Sequence, residues 1–89
     1  MLFHMIVSGR VQGVGFRYSV FKKALELGLT GWVQNKADGT VEIEVEGKEE
    51  NIEDLIKSIK SGFNRFIRVD HIEITTSKQK IGYNNFKIK

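Results

Sequence analysis

Residues 38–46 read Asp-Gly-Thr-Val-Glu-Ile-Glu-Val-Glu, and this stretch decides the fold. The Asp38-Gly39 pair is a strong short-range signal for a tight turn between two strands. After the turn, apolar and acidic residues alternate strictly: Val41, Ile43 and Val45 against Glu42, Glu44 and Glu46. Because successive side chains of a strand point to opposite faces, the pattern predicts one buried face and one solvated acidic face.

The segments on either side give the order β-α-β-β-α-β, followed by a short final strand. Apolar residues recur at helical spacing in residues 16–27 and again in residues 49–61, where they are Ile52, Leu55, Ile56 and Ile59. The predicted strands cover residues 2–7, 29–35, 40–46, 69–76 and 84–88. This order is typical of the ferredoxin-like fold, an α+β sandwich. We therefore expect a single domain over residues 1–89, with an antiparallel sheet and two helices packed on one face.

The fold has a consequence for function. In it the first and second strands run parallel, with the third strand between them. The loop after the first strand and Asn35, at the end of the second, therefore emerge at the same end of the sheet. Two strand spacings, about 10 Å, separate them.

Composition excludes several classes of protein. The chain has 89 residues, of which 40% are hydrophobic and 28% charged, a ratio typical of a single globular domain. No apolar run approaches the roughly 18 residues of a membrane span, and no signal-peptide pattern opens the sequence. The absence of cysteine excludes disulfides, a thiol nucleophile and a cysteine-ligated metal, and suits a reducing cytoplasm. With only two histidines, we expect no metal and no cofactor.

The charge distribution argues against a nucleic-acid partner, although the net charge is +3 and the isoelectric point near 9.3. Residues 41–56 carry seven acidic side chains and one basic side chain. RNA-recognition domains of this element order bind with aromatic residues on the open face of the central strands. Here that face presents the acidic ladder of the third strand, which would repel phosphates, so we expect no nucleic-acid binding.

A glycine-rich segment, residues 9–17 with the sequence GRVQGVGFR, joins the first strand to the first helix. Glycines allow backbone conformations in which successive N–H groups turn toward an anion, and the helix N-terminus adds its positive dipole end. Arg17 would place a charged planar fork beside them. The P-loop motif fails because Phe16 follows Gly15, and the dinucleotide motif fails because Tyr18 replaces its third glycine. The segment predicts a site for one phosphoryl group.

Residues 9–17 and residues 31–42, GWVQNKADGTVE, closely resemble the two signatures of the acylphosphatase family. The resemblance implies a metal-independent hydrolase that cleaves the carboxyl-phosphate bond of acyl phosphates. It implies that Arg17 binds the phosphate, that Asn35 holds the attacking water, and that the loop Gln12, Gly13, Val14, Gly15 and Phe16 cradles the phosphate. The chain departs from many relatives after the second helix, where residues 61–66, SGFNRF, contain no proline.

The chemistry implied is consistent with the residues present. An acyl phosphate expels a carboxylate, a good leaving group, so charge stabilisation and an aligned water suffice. The alternative is a non-catalytic domain that binds a small anion on the same scaffold. Among the other residues, His4 and His71 are interpreted as sheet-face histidines. For Trp32 a core position is favoured over the alternative, a position at the rim of the site. Lys87 and Lys89 resemble the charges that protect sheet edges, which favours a monomer.

Overall fold

The computed structural model describes residues 1–89 as a five-stranded sheet with two helices. The elements are β1 (Leu2–Arg10), α1 (Phe16–Glu26), β2 (Thr30–Asn35), β3 (Val41–Glu46), α2 (Glu49–Ser61), β4 (Arg68–Ser77) and β5 (Phe86–Ile88). The strand order is β4-β1-β3-β2-β5. The helices have 11 and 13 residues, and neither is long and apolar enough to cross a membrane.

The predicted ferredoxin-like α+β fold is confirmed, with one difference in the sheet. Strand β3 pairs antiparallel with β1 and with β2, so β1 and β2 are parallel as predicted. Strand β5, however, runs parallel to β2, with Gly31 opposite Phe86, so the sheet is mixed rather than wholly antiparallel. The reason is the path of residues 78–85. They leave β4 at one edge, pass along one end of the sheet, and start β5 at that same end.

The core lies between the sheet and the two helices. The inward side chains of β1 and β3 are almost fully buried, as are the apolar stripes of both helices. They include Met5, Val7, Val41, Ile43 and Val45 from the strands, and Phe16, Val20, Ala24, Ile52, Leu55 and Ile59 from the helices. The alternation in β3 and the helical spacing in α2 therefore predicted the buried faces correctly, because both faces meet the same core.

The expectation of a solvated acidic ladder is wrong for Glu46. This residue is only 9% exposed, and its carboxylate accepts main-chain N–H groups of Ile81, Gly82 and Tyr83 at 2.6, 2.9 and 3.0 Å. Burial acts to raise the pKa of Glu46, but the three donated hydrogen bonds outweigh it and the pKa lies below its usual value. Glu46 thus anchors the segment that crosses from β4 to β5.

The other two acidic residues of β3, Glu42 and Glu44, are half-buried rather than fully exposed to solvent. Glu42 contacts His4 Nε2 at 2.6 Å and accepts a hydrogen bond from Gln34 at 2.8 Å. The hydrogen bond with His4, followed by that from Gln34, lowers the pKa of Glu42. The interpretation of His4 as a sheet-face histidine beside the glutamates of β3 is thereby confirmed.

Trp32 is not a core residue, contrary to the expectation. It is half-buried on the open face of the sheet, because the neighbouring Val33 takes the inward position of β2. Its indole Nε1 donates a hydrogen bond to the hydroxyl of Tyr83 at 2.9 Å. The ammonium of Lys89 lies 4.3 Å from its ring centroid, a cation–π distance. Trp32 therefore helps hold the chain on both sides of β5.

The proline-free segment after α2 is held by its own side chains. Gly62 ends the helix in the left-handed conformation, with φ 79°, and Phe63 follows with φ 61°. The side chain of Asn64 accepts the main-chain N–H of Phe66 at 2.9 Å. The ring of Phe63 packs edge-on against Phe16, with centroids 5.9 Å apart. The loop therefore packs against Phe16, the first residue of α1, through the ring of Phe63.

We predict that Glu46→Ala lowers the free energy of unfolding by about 2–3 kcal/mol at pH 7, because three N–H donors lose a charged acceptor. The loss should depend on pH. The pKa of Glu46 is depressed below 4.5 in the folded chain, so its contribution is present above that pH. The contribution then disappears as the pH falls through the folded-state pKa. Urea unfolding at several pH values measures both effects.

The matched control is Glu73→Ala, which removes an exposed carboxylate on β4 that makes no hydrogen bond. It should change the free energy of unfolding by less than about 0.5 kcal/mol. Equal losses from the two variants, or a loss from Glu46→Ala that is unchanged at low pH, would contradict the anchoring role.

Candidate active site

Near its C-terminal end, β1 contains a backbone position that only glycine can occupy. Gly9 has φ 129°, and a Cβ there would overlap the carbonyl oxygen of Arg68. The pairing of β1 with β4 shifts at this point, where Ser8 faces His71 but Gly9 faces Val69. Such a bulge bends a strand and increases its twist. It lies immediately before the loop that contains the candidate phosphate cradle.

The N-terminus of α1 is left without acceptors for its N–H groups. Gly15 precedes the helix in the left-handed conformation, with φ 80° and ψ 15°, and no side chain caps the helix. No acidic residue lies in the first turn. The main-chain N–H groups of residues 12–18 have no hydrogen-bond acceptor within the chain. Unpaired donors of this kind, at the positive end of a helix dipole, favour an anion.

Arg17 lies in the first turn of α1 and is half-buried. One guanidinium nitrogen donates to the main-chain oxygen of Lys89, the last residue of the sequence, at 2.8 Å. This contact fixes the side chain against the end of β5 and engages only one of its nitrogens. Since a guanidinium presents five N–H donors in a rigid fork, the remaining donors are available to an anion.

Asn35 is the last residue of β2. Its side chain falls on the same face as Gly31 and Val33, both of which are buried, so it points to the helix side of the sheet. Its carboxamide makes no hydrogen bond within the chain, and the residue is exposed. Asn35 therefore presents both a free donor and a free acceptor beside the start of α1.

Arg17 and Asn35 line one cleft of about 200 Å³. Its lining consists of Val11, Gly13, Gly15, Phe16, Arg17, Tyr18, Asn35 and Ile88. The ring of Phe16 is buried in the core, so this residue offers the cleft its main chain. The structure thus brings together five of the residues predicted for the site: Gly13, Gly15, Phe16, Arg17 and Asn35.

The other two predicted residues, Gln12 and Val14, do not line the cleft. Val14 is half-buried and packs against the core. The side-chain amide of Gln12 donates to the carbonyl oxygens of Lys36 and Thr40, both at 2.8 Å. Gln12 therefore clamps the glycine-rich loop to the β2–β3 turn. In this arrangement only its main-chain N–H is free to face an anion.

The cleft contains one permanent charge, that of Arg17, and no Asp, Glu or His side chain. The nearby β2–β3 turn is fixed by Asp38, which accepts the hydroxyl of Thr40 at 2.6 Å and its N–H at 3.0 Å. The hydroxyl and then the N–H of Thr40 lower the pKa of Asp38. No three His, Asp or Glu side chains in the chain come together in a way that could hold a metal ion.

A larger cleft, of about 710 Å³, lies at the opposite end of the strands. Met1, Thr30 and Glu46 line it together with several lysines, and none of the predicted site residues contributes to it. Its size alone does not make it the active site. Unlike the smaller cleft, it is lined by two carboxylates, those of Glu46 and Glu49, and the N–H groups of residues 81–83 are already bound by Glu46.

Sequence reasoning missed four contributors to the smaller cleft, the first of which is Val11 at the start of the loop. Tyr18 and Ile88 form part of its wall, and the main-chain oxygen of Lys89 holds Arg17. Tyr18 is predictable once α1 is placed, because it is the residue after Arg17 in that helix. Ile88 and Lys89 come from the far end of the chain and reach the site only because β5 pairs parallel with β2. No local pattern in the sequence predicts the pairing of β5 with β2.

Comparisons with known proteins agree with this geometry. The family model described as acylphosphatase matches residues 3–88. An acylphosphatase of Caldanaerobacter subterraneus is 48% identical over 85 residues, which cover 96% of this chain and 93% of that protein. The crystal structure of acylphosphatase from Bacillus subtilis aligns with TM-score 0.95 and 43% identity, and the alignment covers 100% of this chain and 99% of that one. An acylphosphatase structure from Coxiella burnetii gives TM-score 0.90 and 38% identity, covering 99% and 90%.

The chain belongs to the acylphosphatase family. The family and the enzyme class that the two signatures predicted are therefore confirmed. The roles of individual residues are a separate question, which the geometry of the cleft addresses.

We predict that Gln12→Ala lowers the free energy of unfolding by about 1 kcal/mol, because the loop loses two hydrogen bonds to the β2–β3 turn. Gln12→Glu should destabilise more, since its carboxylate would face two carbonyl oxygens. Urea unfolding of the two variants at pH 7 tests this order. If the side chain bound phosphate instead, Gln12→Ala would keep its stability and lose only affinity for inorganic phosphate.

Proposed function

We propose that the cleft holds the phosphoryl group of an acyl phosphate and hydrolyses its carboxyl-phosphate bond to a carboxylate and inorganic phosphate. One observation carries the proposal. The guanidinium of Arg17 and the free carboxamide of Asn35 line one cleft together with Gly13, Gly15 and Phe16, whose main-chain N–H groups are unpaired. In that cleft the loop N–H groups and Arg17 bind the phosphoryl group, and Asn35 positions the water.

Charge stabilisation comes from the loop and from Arg17. The phosphoryl oxygens carry negative charge throughout the reaction. Main-chain donors that are already oriented, next to a helix N-terminus, stabilise that charge without reorganising during the reaction. The hydrogen bond from Arg17 to the main-chain oxygen of Lys89 holds the guanidinium in place, which reduces the conformational entropy lost on binding.

Asn35 aligns the nucleophile. A carboxamide can accept a hydrogen bond from a water and donate one to it or to the phosphoryl group. Water attacks phosphorus, the bond from phosphorus to the acyl oxygen breaks, and the carboxylate leaves with the electron pair. We infer that a proton of the water passes to a phosphoryl oxygen, since no Asp, Glu or His side chain lines the cleft to accept it.

The same features support the other assignments. The ligands are a small acyl phosphate and inorganic phosphate or a similar anion, and no metal or cofactor takes part in the steps above. Arg17 supplies the positive charge that a metal ion provides in other phosphoryl-transfer sites. We also propose that residues 1–89 form one domain and that the protein is a monomer. It acts in the cytoplasm and binds no nucleic acid.

Replacing Arg17 should abolish most of the activity. Removing one preorganised donor at a developing anion typically costs about 10²–10³ in turnover, so Arg17→Ala should lose at least that much. Arg17→Lys should also fail, because an ammonium cannot reproduce the planar fork. Steady-state hydrolysis of benzoyl phosphate by the purified chain gives the rates.

The matched control is Arg65→Ala, which removes an exposed arginine in the loop after α2. It should leave kcat and KM unchanged within about twofold. An Arg17→Ala variant that retained wild-type turnover would contradict the proposal. A wild-type chain that binds phosphate yet hydrolyses no acyl phosphate would instead be a non-catalytic anion-binding domain.

Asn35→Ala should separate catalysis from binding. The variant loses the group that aligns water, so kcat should fall by roughly 10² or more. The inhibition constant of inorganic phosphate should stay within about threefold, since the loop N–H groups and Arg17 remain. The opposite pattern, weaker inhibition with kcat unchanged, would show that Asn35 binds the phosphate rather than the water.

A further inference from the structure

The cleft has an apolar wall that the phosphoryl group does not use. Besides the polar groups already described, it is lined by Tyr18 and Ile88. Tyr18 is 61% exposed and Ile88 is 42% exposed, so neither serves the core. They come from different elements, α1 and β5, and both line the cleft. Single exposed apolar residues are ordinary on a protein surface, but two that line the same cleft indicate a place where a ligand could bind.

The ring of Tyr18 is supported from one side. Its centroid lies 6.4 Å from that of Phe21, and the ring of Phe21 lies 6.3 Å from that of Phe86. Phe86 is buried in the core and belongs to β5, the same strand as Ile88. A row of aromatic rings thus connects the cleft wall to the core. A ring that is already held in place loses little conformational entropy when a ligand packs on it, and this favours binding of an apolar group.

The cleft has room for more than phosphate. Its volume is about 200 Å³. A phosphoryl group, with one phosphorus and three oxygens, fills only part of that space. The group attached to the phosphoryl unit must then leave the cleft past its mouth. No Asp or Glu side chain lines the cleft, and the one charged side chain in the lining, Arg17, is assigned to the phosphoryl group.

We propose that Tyr18 and Ile88 form the acyl-group subsite and that the enzyme prefers acyl phosphates with an aromatic or other apolar acyl group. The inference rests on the proposed function, since it assigns the remainder of the same substrate. Tyr18 would pack against the face or edge of an aromatic acyl group, and Ile88 would cover its other side. Aromatic acyl phosphates should therefore be turned over with higher kcat/KM than acetyl phosphate, whose methyl group is too small to reach both residues.

The test compares kcat/KM for benzoyl phosphate and acetyl phosphate in the same preparation. An aromatic contact is worth about 0.5–1.5 kcal/mol, so Tyr18→Ser should lower the ratio of the two kcat/KM values roughly three- to tenfold. Tyr18→Phe should keep the wild-type ratio, because the ring is retained. Ile88→Thr should lower the ratio by a smaller factor. The inhibition constant of inorganic phosphate should not change in any of the three.

Leu25→Ser is the matched control. Leu25 is 54% exposed on the same helix as Tyr18 but does not line the cleft, so the substitution should leave the ratio unchanged. Circular dichroism verifies that each variant is folded. A Tyr18→Ser variant that lowers both substrates equally, or that changes no more than Leu25→Ser, overturns the acyl subsite while leaving the proposed function intact. A wild-type chain that hydrolyses neither substrate overturns both.

Discussion

The site depends on the register of β3 between β1 and β2. Burial of the apolar face of β3, with Val41, Ile43 and Val45 fully covered, fixes which residues of the two parallel neighbours face the helices. Asn35 lies opposite Val41 in this register and shares its face. A slip of one residue would turn Asn35 to the open face of the sheet, away from α1. The energy that places the carboxamide in the site is therefore the energy of the hydrophobic core.

The loop before α1 shows the complementary arrangement, in which polar groups are left unpaired. Buried main-chain donors normally find acceptors, and unmet ones cost free energy. In this loop the exposed glycines and the missing cap leave the N–H groups of residues 12–18 unpaired, beside a cleft that Gly13, Gly15 and Phe16 line. The clamp from Gln12 to the β2–β3 turn then holds the loop against Asn35. Stability elsewhere in the fold compensates for the unpaired N–H groups of this loop.

The sequence predicts the parts of this molecule that local patterns control. The alternation in residues 41–46 and the spacing of Ile52, Leu55, Ile56 and Ile59 gave the buried faces, and α2 was predicted with its observed bounds. The two signatures gave the family, and Arg17 and Asn35 do share a cleft.

Local patterns in the sequence do not predict contacts between residues that are far apart in the chain. Glu46 repeats the pattern of Glu42 and Glu44, yet only Glu46 lies under residues 81–83 and becomes buried. Trp32 is covered by Tyr83 and Lys89, and β5 takes its direction from the same crossing segment. Such contacts depend on where the chain passes after β4, and period-two or helical spacing carries no information about that path.

The central claim is that one tetrahedral anion is enclosed by the loop N–H groups and Arg17, opposite Asn35. Titration of the ¹⁵N-labelled chain with inorganic phosphate, followed by amide chemical shifts, tests it directly. The account predicts that the largest shifts fall on the backbone amides of residues 12–18, on the Arg17 side chain and on the Asn35 carboxamide, with one common dissociation constant. Shifts concentrated instead around Met1, Lys78 and Lys80, in the larger cleft at the other end of the strands, would contradict it.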